Sequence, residues 1–375
     1  MRRSLSSLRQ QWSGSSLGSE STLHQLAPYI GKLKTSIAGT LVSAYSTPGS
    51  TILEPFSGSG AVALEALIQG RNIIANDLSP YAAVLTQAKL FPPPSESVAI
   101  RKALRYVREA KKTAKERHYR TDAPKWVRQF FHRKTLAEAS VLTKILLKRE
   151  EWFLLACVLG ILHHQRPGFL SFPSSHLVPY LRAKKFPRAK FASLYAYRDL
   201  EPRILAKIRR AYKRTAVFDK QLLRQFTRDD IRNLIVPRQV DLLLTSPPYM
   251  NALDYGRDNR LRLWFLGLED YRDLDRHNCR TPAEFEKLMQ CLADLADQCV
   301  SPTGTVALVV GEVRRKSFSI NTAEIVMRVF TEGANFRLVD SIKDLVPDLR
   351  RCRRNYCTTK REWVLIFKRK KSAHE

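Results

Sequence analysis

A chain of 375 residues with 44% hydrophobic side chains is long enough for one to three domains of roughly 150 residues and for a substantial core. Its 64 Lys and Arg against 35 Asp and Glu leave a formal charge of +29, which points to a polyanionic partner and says nothing of fold. No run approaches the roughly 18–20 apolar residues of a membrane helix; the best, Trp152 to Leu162, runs into His163, His164 and Arg166, so no membrane partner is expected.

The charge is unevenly spread. Between Arg101 and Val240 lie 34 basic and 11 acidic residues. An ordinary solvated surface interleaves both signs, so this surplus is better read as a nucleic-acid face. The cysteines are Cys157, Cys279, Cys291, Cys299, Cys352 and Cys357. They form no C-x-x-C pair and have no spaced His partner, so reduced thiols in the cytoplasm are expected and no metal.

Residues 1–22 are rich in Ser and Arg, with Glu20 the first acid. They read as a disordered basic arm able to touch phosphates; a transit peptide is the weaker alternative, because no amphipathic stripe is evident. The loop Pro28-Tyr29-Ile30-Gly31 precedes a helix from Thr35 to Tyr45, whose Ile37, Leu41, Val42 and Tyr45 keep helical spacing. A buried strand is expected at Thr51–Glu54, then a Gly-rich bend, a helix from Ala61 to Gln69 and a strand at Asn72–Ala75. That order is a βαβ unit. Phe91-Pro92-Pro93-Pro94 breaks it. From Ser97 to Leu162 the chain reads helical and basic, from Arg166 to Tyr197 irregular, and around Glu201–Ala211 helical again. Strands resume at Val240–Thr245, Gly304–Val310, Arg337–Ser341 and Glu362–Lys368. The expected fold is α/β, a Rossmann-like sheet with helices on both faces. Its halves, 23–95 and 216–375, are separated by a mainly helical basic insertion, 96–215.

Two segments carry chemistry. In Glu54-Pro55-Phe56-Ser57-Gly58-Ser59-Gly60, the glycines permit backbone angles and close approach that a side chain would block, and the helix that follows offers its amides to an anionic group. Asp77 closes the next strand, 17 residues past Gly60, where a carboxylate holds ribose hydroxyls. A tight turn with Asp77 as a helix cap is the alternative. In Asp241 to Tyr249, a buried strand enters Ser246-Pro247-Pro248-Tyr249. The prolines fix the backbone and remove two donors. An exocyclic base amine is a poor nucleophile, because its lone pair feeds the ring; acceptors on its hydrogens free that pair. The Ser246 hydroxyl and the Pro247 carbonyl are such acceptors, and Tyr249 offers a stacking ring to a base taken out of its duplex. A proline-rich loop capping a strand is the alternative reading. No cysteine lies near either segment, which argues against a thiol nucleophile and ring-carbon methylation.

Together the segments resemble the DNA amino-methyltransferases that use S-adenosylmethionine (SAM). E-P-F-S-G-S-G is similar to their SAM-binding motif, and T-S-P-P-Y to their catalytic motif in its cytosine-N4 form. Asn251-Ala252-Leu253-Asp254-Tyr255 with Arg257, Asn259 and Leu261 to Phe265 resembles the stretch after it, and Pro28 to Lys32 the loop that encloses the methionine. The resemblance implies a catalytic set of Ser246, Pro247, Pro248 and Tyr249. It implies a cofactor set of Tyr29, Lys32, Glu54, Pro55, Phe56, Gly58, Gly60, Asp77, Leu78, Asp230 and Thr245. In that set Phe56 packs near the sulfonium, Asp77 holds the ribose and Asp230 meets the adenine amine. Two departures stand out: Asp229 replaces the glycine usual before that last acid, and Glu54 the more common Asp.

In this family the slot of the insertion holds target-reading elements. Arg101, Arg105 and Lys112, on helical stripes with Lys102, Arg108, Lys111 and Lys115, and then Arg166, Arg182, Lys184 and Lys185, are expected on DNA phosphates. His163 to Phe169 and Ser171 to His176 suit a base-reading loop or an ordinary surface loop. The resulting expectation is a cytoplasmic, nucleoid-associated enzyme that methylates cytosine N4 in double-stranded DNA, with a cognate restriction or defence system as a further partner. The alternatives are adenine N6, a tRNA guanine-N2 enzyme and a non-catalytic DNA-binding protein.

Overall fold

The computed structural model describes residues 4–13, 20–250, 254–311, 313–314, 319–345 and 361–371. In chain order these form α1 (Leu5–Ser13), α2 (Thr35–Tyr45), β1 (Thr51–Glu54), α3 (Ala61–Ile68), β2 (Asn72–Asn76) and α4 (Pro80–Leu90). There follow α5 (Glu96–Glu116), α6 (Lys125–Arg128), α7 (Arg133–Lys148), α8 (Trp152–Gly160) and α9 (Leu200–Tyr212). Then come β3 (Arg224–Thr227), β4 (Val240–Thr245), α10 (Tyr255–Phe265), α11 (Arg272–Asp275), α12 (Pro282–Cys299) and β5 (Val300–Gly311). The short pair β6 (Val313–Arg314) and β7 (Ser319–Ile320), α13 (Thr322–Glu332), β8 (Phe336–Leu345) and β9 (Arg361–Arg369) complete the order.

Seven strands form one sheet in the order β3-β2-β1-β4-β5-β9-β8. The first five run parallel, and β9 is antiparallel to both β5 and β8. Chain order reverses between β1 and β4, the switch point beyond whose carboxyl ends a doubly wound sheet binds its ligand. Successive residues of the central strands face opposite layers. Leu53, Ile74 and Leu243 pack under α12 and α13, whereas Ile52, Ile73, Leu242 and Leu244 pack under α1, α2 and α3. With helices on both faces, the fold is the expected Rossmann-like α/β sheet.

The helices of residues 96–212 form a third layer. α5 turns Ala99, Ala103, Tyr106, Val107, Ala110 and Ala114 inward at helical spacing. They share one hydrophobic core with Tyr81, Val84 and Leu85 of α4 and with Leu261, Leu263 and Phe265 of α10. The insertion is therefore packed against the helices that flank the switch point.

Part of the expected disordered arm is ordered. Leu5, Leu8 and Trp12 of α1 are fully buried against α2, the Leu5 amide donates to Asp340 at 2.8 Å, and the Trp12 indole donates to Asp344 at 3.1 Å. The spacing i, i+3, i+7 is a narrow apolar stripe that the surrounding Ser and Arg obscure. β3, α4, α10, α12 and α13 were not anticipated. Asn251, Ala252 and Leu253, and also Cys352 and Cys357, lie outside the described residues. No helix among the described residues is long and apolar enough to cross a membrane.

Candidate active site

A cavity of about 760 Å³ opens beyond the carboxyl ends of β1, β2 and β4. One side is the bend after β1. Gly58 and Gly60 have φ of +51° and +68°, the left-handed region that penalises any side chain. A Cβ on Gly58 would stand 3.1 Å from the Tyr29 ring, and one on Gly60 would stand 3.0 Å from the Cα of Thr86 in α4. The bend is thus shaped around Tyr29, itself stacked on Tyr81 at 5.8 Å.

Acids brace this bend through backbone amides. The Gly58 amide donates to Asp77 Oδ2 at 2.7 Å, and the Ser79 amide donates to Oδ1 at 2.9 Å. Ser79, not Asp77, caps α4. Burial lifts the Asp77 carboxyl to about 6. Glu54 accepts from the Ala63 amide at 2.9 Å in the first turn of α3, and burial holds its pKa well above the carboxylate range. The buried Lys89 ammonium donates to the Ser59 carbonyl. Lys32, whose pKa burial lowers, donates to the His24 carbonyl at 3.2 Å.

The second segment meets the first through Thr245. Its Oγ1 accepts from the Phe56 amide at 3.3 Å and lies 3.4 Å from the Phe56 carbonyl. Ser246, the next residue, faces the cavity and donates its hydroxyl hydrogen to the Val309 carbonyl at 2.9 Å. Tyr249 is not among the residues that line the cavity, and its hydroxyl donates to Glu362 Oε1 of β9 at 2.9 Å. Burial, with Glu362 beside it, pushes that hydroxyl's pKa well up.

Of the expected residues, Tyr29, Lys32, Glu54, Phe56, Gly58, Asp77, Leu78, Asp230, Ser246 and Pro248 line the one cavity. Pro55, Gly60, Thr245, Pro247 and Tyr249 are not part of that lining. Asp230 is already engaged: it takes Arg232 Nε at 2.8 Å and has His277 at 3.4 Å, and the Arg232 hydrogen bonds hold its carboxyl down at about 2.

Sequence reasoning missed the wall formed by Leu274, Arg276, His277, Asn278 and Cys279, with Glu284, Lys287 and Cys291 of α12. One signal was present: Thr281 and Glu284 form a reciprocal capping box at the start of α12.

None of the expected DNA contacts lines this cavity. Arg101, Arg105 and Lys112 are exposed on α5, as are Arg166, Lys184 and Lys185 on the irregular segment; Arg182 is half-buried and donates to Gln165 at 2.7 Å. His163 is buried with Nδ1 on the Ser175 carbonyl at 2.9 Å, while His164 stacks on Phe169 at 4.7 Å and meets His176 at 4.6 Å. Among the described residues no three His, Cys, Asp or Glu side chains converge on a metal-sized site.

Fold and cavity define a Rossmann-like α/β protein with a cavity at the switch point. Residues 29–155 match the family model of the D12 class N6 adenine-specific DNA methyltransferases. That stretch holds the bend and Asp77 and ends before Ser246. None of the curated proteins matches the chain. TrmN from Thermus thermophilus shares 13% identity over 91% of this chain at a TM-score of 0.36, and the chain spans 50% of TrmN. The rRNA methyltransferase aviRa from Streptomyces viridochromogenes shares 11% identity over 94% of this chain and 93% of its own, with a TM-score of 0.35. The glycopeptide N-methyltransferase MtfA, solved with SAM, shares 8% over 90% and 87%, with a TM-score of 0.33.

Proposed function

We propose that the chain is a SAM-dependent DNA methyltransferase acting on the exocyclic amine of a base, with cytosine N4 as the favoured target. The observation that carries the reading is the pairing of two features in one cavity: a glycine bend that a Cβ would fill, and Ser246 with its hydroxyl hydrogen committed to Val309. Because that hydrogen is spent on a carbonyl, the Ser246 oxygen meets the cavity as an acceptor. An amine that donates to it keeps its own lone pair free for attack.

The residues fit SAM. The cavity volume lies within the roughly 300–1,000 Å³ of small-molecule sites. Asp77 is an acceptor at the end of β2, and Phe56 presents a ring. When bound, SAM supplies an electrophilic methyl group on a sulfonium. Asp77 would hold the ribose, Phe56 and Tyr29 would enclose the methionine end, and Ser246 with the Pro247 carbonyl would orient the amine. The exposed cations of α5 and of residues 166–185 would hold duplex phosphates while the target base leaves its stack.

Adenine N6 is the second reading, favoured by the description of the matching family. The matched stretch stops before the residues that would meet the base, so Ser246 still weighs toward cytosine.

Incubation of the full chain with labelled SAM and either duplex DNA or RNA, followed by mass spectrometry of the nucleosides, tests the reading. N4-methylcytosine in DNA is expected, lost in Ser246→Ala with SAM affinity unchanged. N6-methyladenine moves the assignment to the second reading. Label in RNA alone, or in neither, overturns both.

A further inference from the structure

Methylation of an amine leaves a proton to dispose of. As the new C–N bond forms and the donor's S–C bond breaks, the nitrogen sheds one of its hydrogens as H⁺. The two residues beyond Ser246 show where that proton can go. Ser246 Oγ lies 3.3 Å from the Tyr249 oxygen, and the Tyr249 hydroxyl is 2.9 Å from Glu362 Oε1.

We infer that Ser246, Tyr249 and Glu362 form a proton relay, with Glu362 as the final acceptor. This rests on the proposed amine methylation at Ser246. The amine proton passes to Ser246 Oγ as the serine's own hydrogen turns from Val309 to Tyr249 and the tyrosine's hydrogen passes to Glu362. One N–H bond is broken and one O–H bond is made on the carboxylate, with no electrons left over. The half-buried Glu362 then returns the proton to water. The arrangement also explains why a tyrosine at the catalytic corner directs its hydroxyl to a carboxylate on β9, a contact that stacking alone does not require.

Charged and titratable groups surround Glu362 on each side. Asp344 is its cross-strand partner on β8 and Gly311 its partner on β5. Arg9 of α1 pairs with Asp344 at 3.3 Å. Arg361 adjoins it, Lys343 lies 5.0 Å over the neighbouring Trp363 ring, and Tyr255 of α10 acts on Tyr249.

Glu362→Gln keeps an acceptor for the Tyr249 hydroxyl but cannot take a proton, and Tyr249→Phe keeps the ring. Both should lower kcat about 100-fold, the lower end of what proton transfer contributes, with SAM and DNA affinities within about twofold of wild type. Full turnover in Glu362→Gln, with an active wild type, overturns the relay alone. No transfer by wild type to DNA or RNA overturns the amine-methylation reading and the relay with it. A second readout needs neither substrate nor cofactor. In protein labelled with ¹³C at the tyrosine ring, the signal missing from Tyr249→Phe should shift as acid protonates Glu362 and should lose that step in Glu362→Gln. An unchanged step in Glu362→Gln overturns the coupling.

Discussion

The bend after β1 and the basic layer of residues 96–212 use charge in opposite ways. At the bend, ionisable groups are buried and spent on backbone: Asp77 on the Gly58 and Ser79 amides, Glu54 on the Ala63 amide, Lys89 on the Ser59 carbonyl. In the helical layer most cations stay in solvent, but several do not. Arg198 is 4% exposed and donates to the Phe169 and Leu194 carbonyls at 2.7 and 2.8 Å. Lys102 pairs with Glu151 and Lys111 with Asp199. Charge counted along a chain is therefore not charge on a surface. The cations left for a polyanion are fewer than the basic residues counted along the chain.

That contrast has sharp tests. The largest effect should come from Arg198→Met, which leaves two part-buried carbonyls without their donors, at the lower end of ~1–3 kcal/mol each. Urea denaturation should show a loss of at least ~2 kcal/mol; an unchanged midpoint would place Arg198 with the surface cations instead. Gly60→Ala should follow, at ~1–2 kcal/mol for the left-handed conformation alone, together with weakened SAM binding, since the new Cβ meets the backbone of Thr86. A substitution that binds SAM normally would show the bend is not the cofactor cradle.

Asp77 gives a smaller, pH-dependent effect with two signs. Its folded pKa is raised from 3.8 to about 6. Its contribution to fold stability is thus fully present below the unfolded value near 4 and is lost as pH rises through about 6. SAM affinity should move the other way if, as proposed, ribose hydroxyls donate to the carboxylate: Kd should then rise as pH falls below about 6, approaching tenfold per unit. Asp77→Asn should flatten both profiles and weaken binding at pH 8. Calorimetry across pH 5–8 reads the affinity, and a flat wild-type profile would remove Asp77 from the ribose.

Parts of this were legible because strands buried on both faces write themselves as apolar runs. Val240–Thr245 and Thr51–Glu54 are such runs, and both strands end at the residues expected. β3 has the sequence Arg-Gln-Phe-Thr, is only half-buried along its length, and sits at the sheet edge, so there was little apolar pattern to read. The glycine bend was visible because positive φ selects glycine at two nearby positions. Glu362 was not, since it reaches Tyr249 across 113 residues of sequence, and only the insertion of β9 beside β5 brings it there. The orientation of Tyr249 follows from that contact and could not be read from the Ser-Pro-Pro-Tyr segment alone.

The smallest expected effect on stability belongs to the cations that remain outside. Lys184 and Lys185 are exposed, so replacing both with Ala should change folding stability by less than ~0.5 kcal/mol. If each meets a phosphate, the slope of log affinity against log salt should shrink by about 0.9 per residue. SAM affinity should be untouched, because neither residue lines the cavity. Lys102→Ala offers the counterpart: its ammonium is already held at 2.8 Å by Glu151, so it should leave the salt slope close to wild type. Fluorescence anisotropy with a labelled duplex between 50 and 200 mM salt measures both. Equal slopes in all three proteins would mean that the exposed cations of this segment face away from the nucleic acid, and the contact surface would have to be sought on α5.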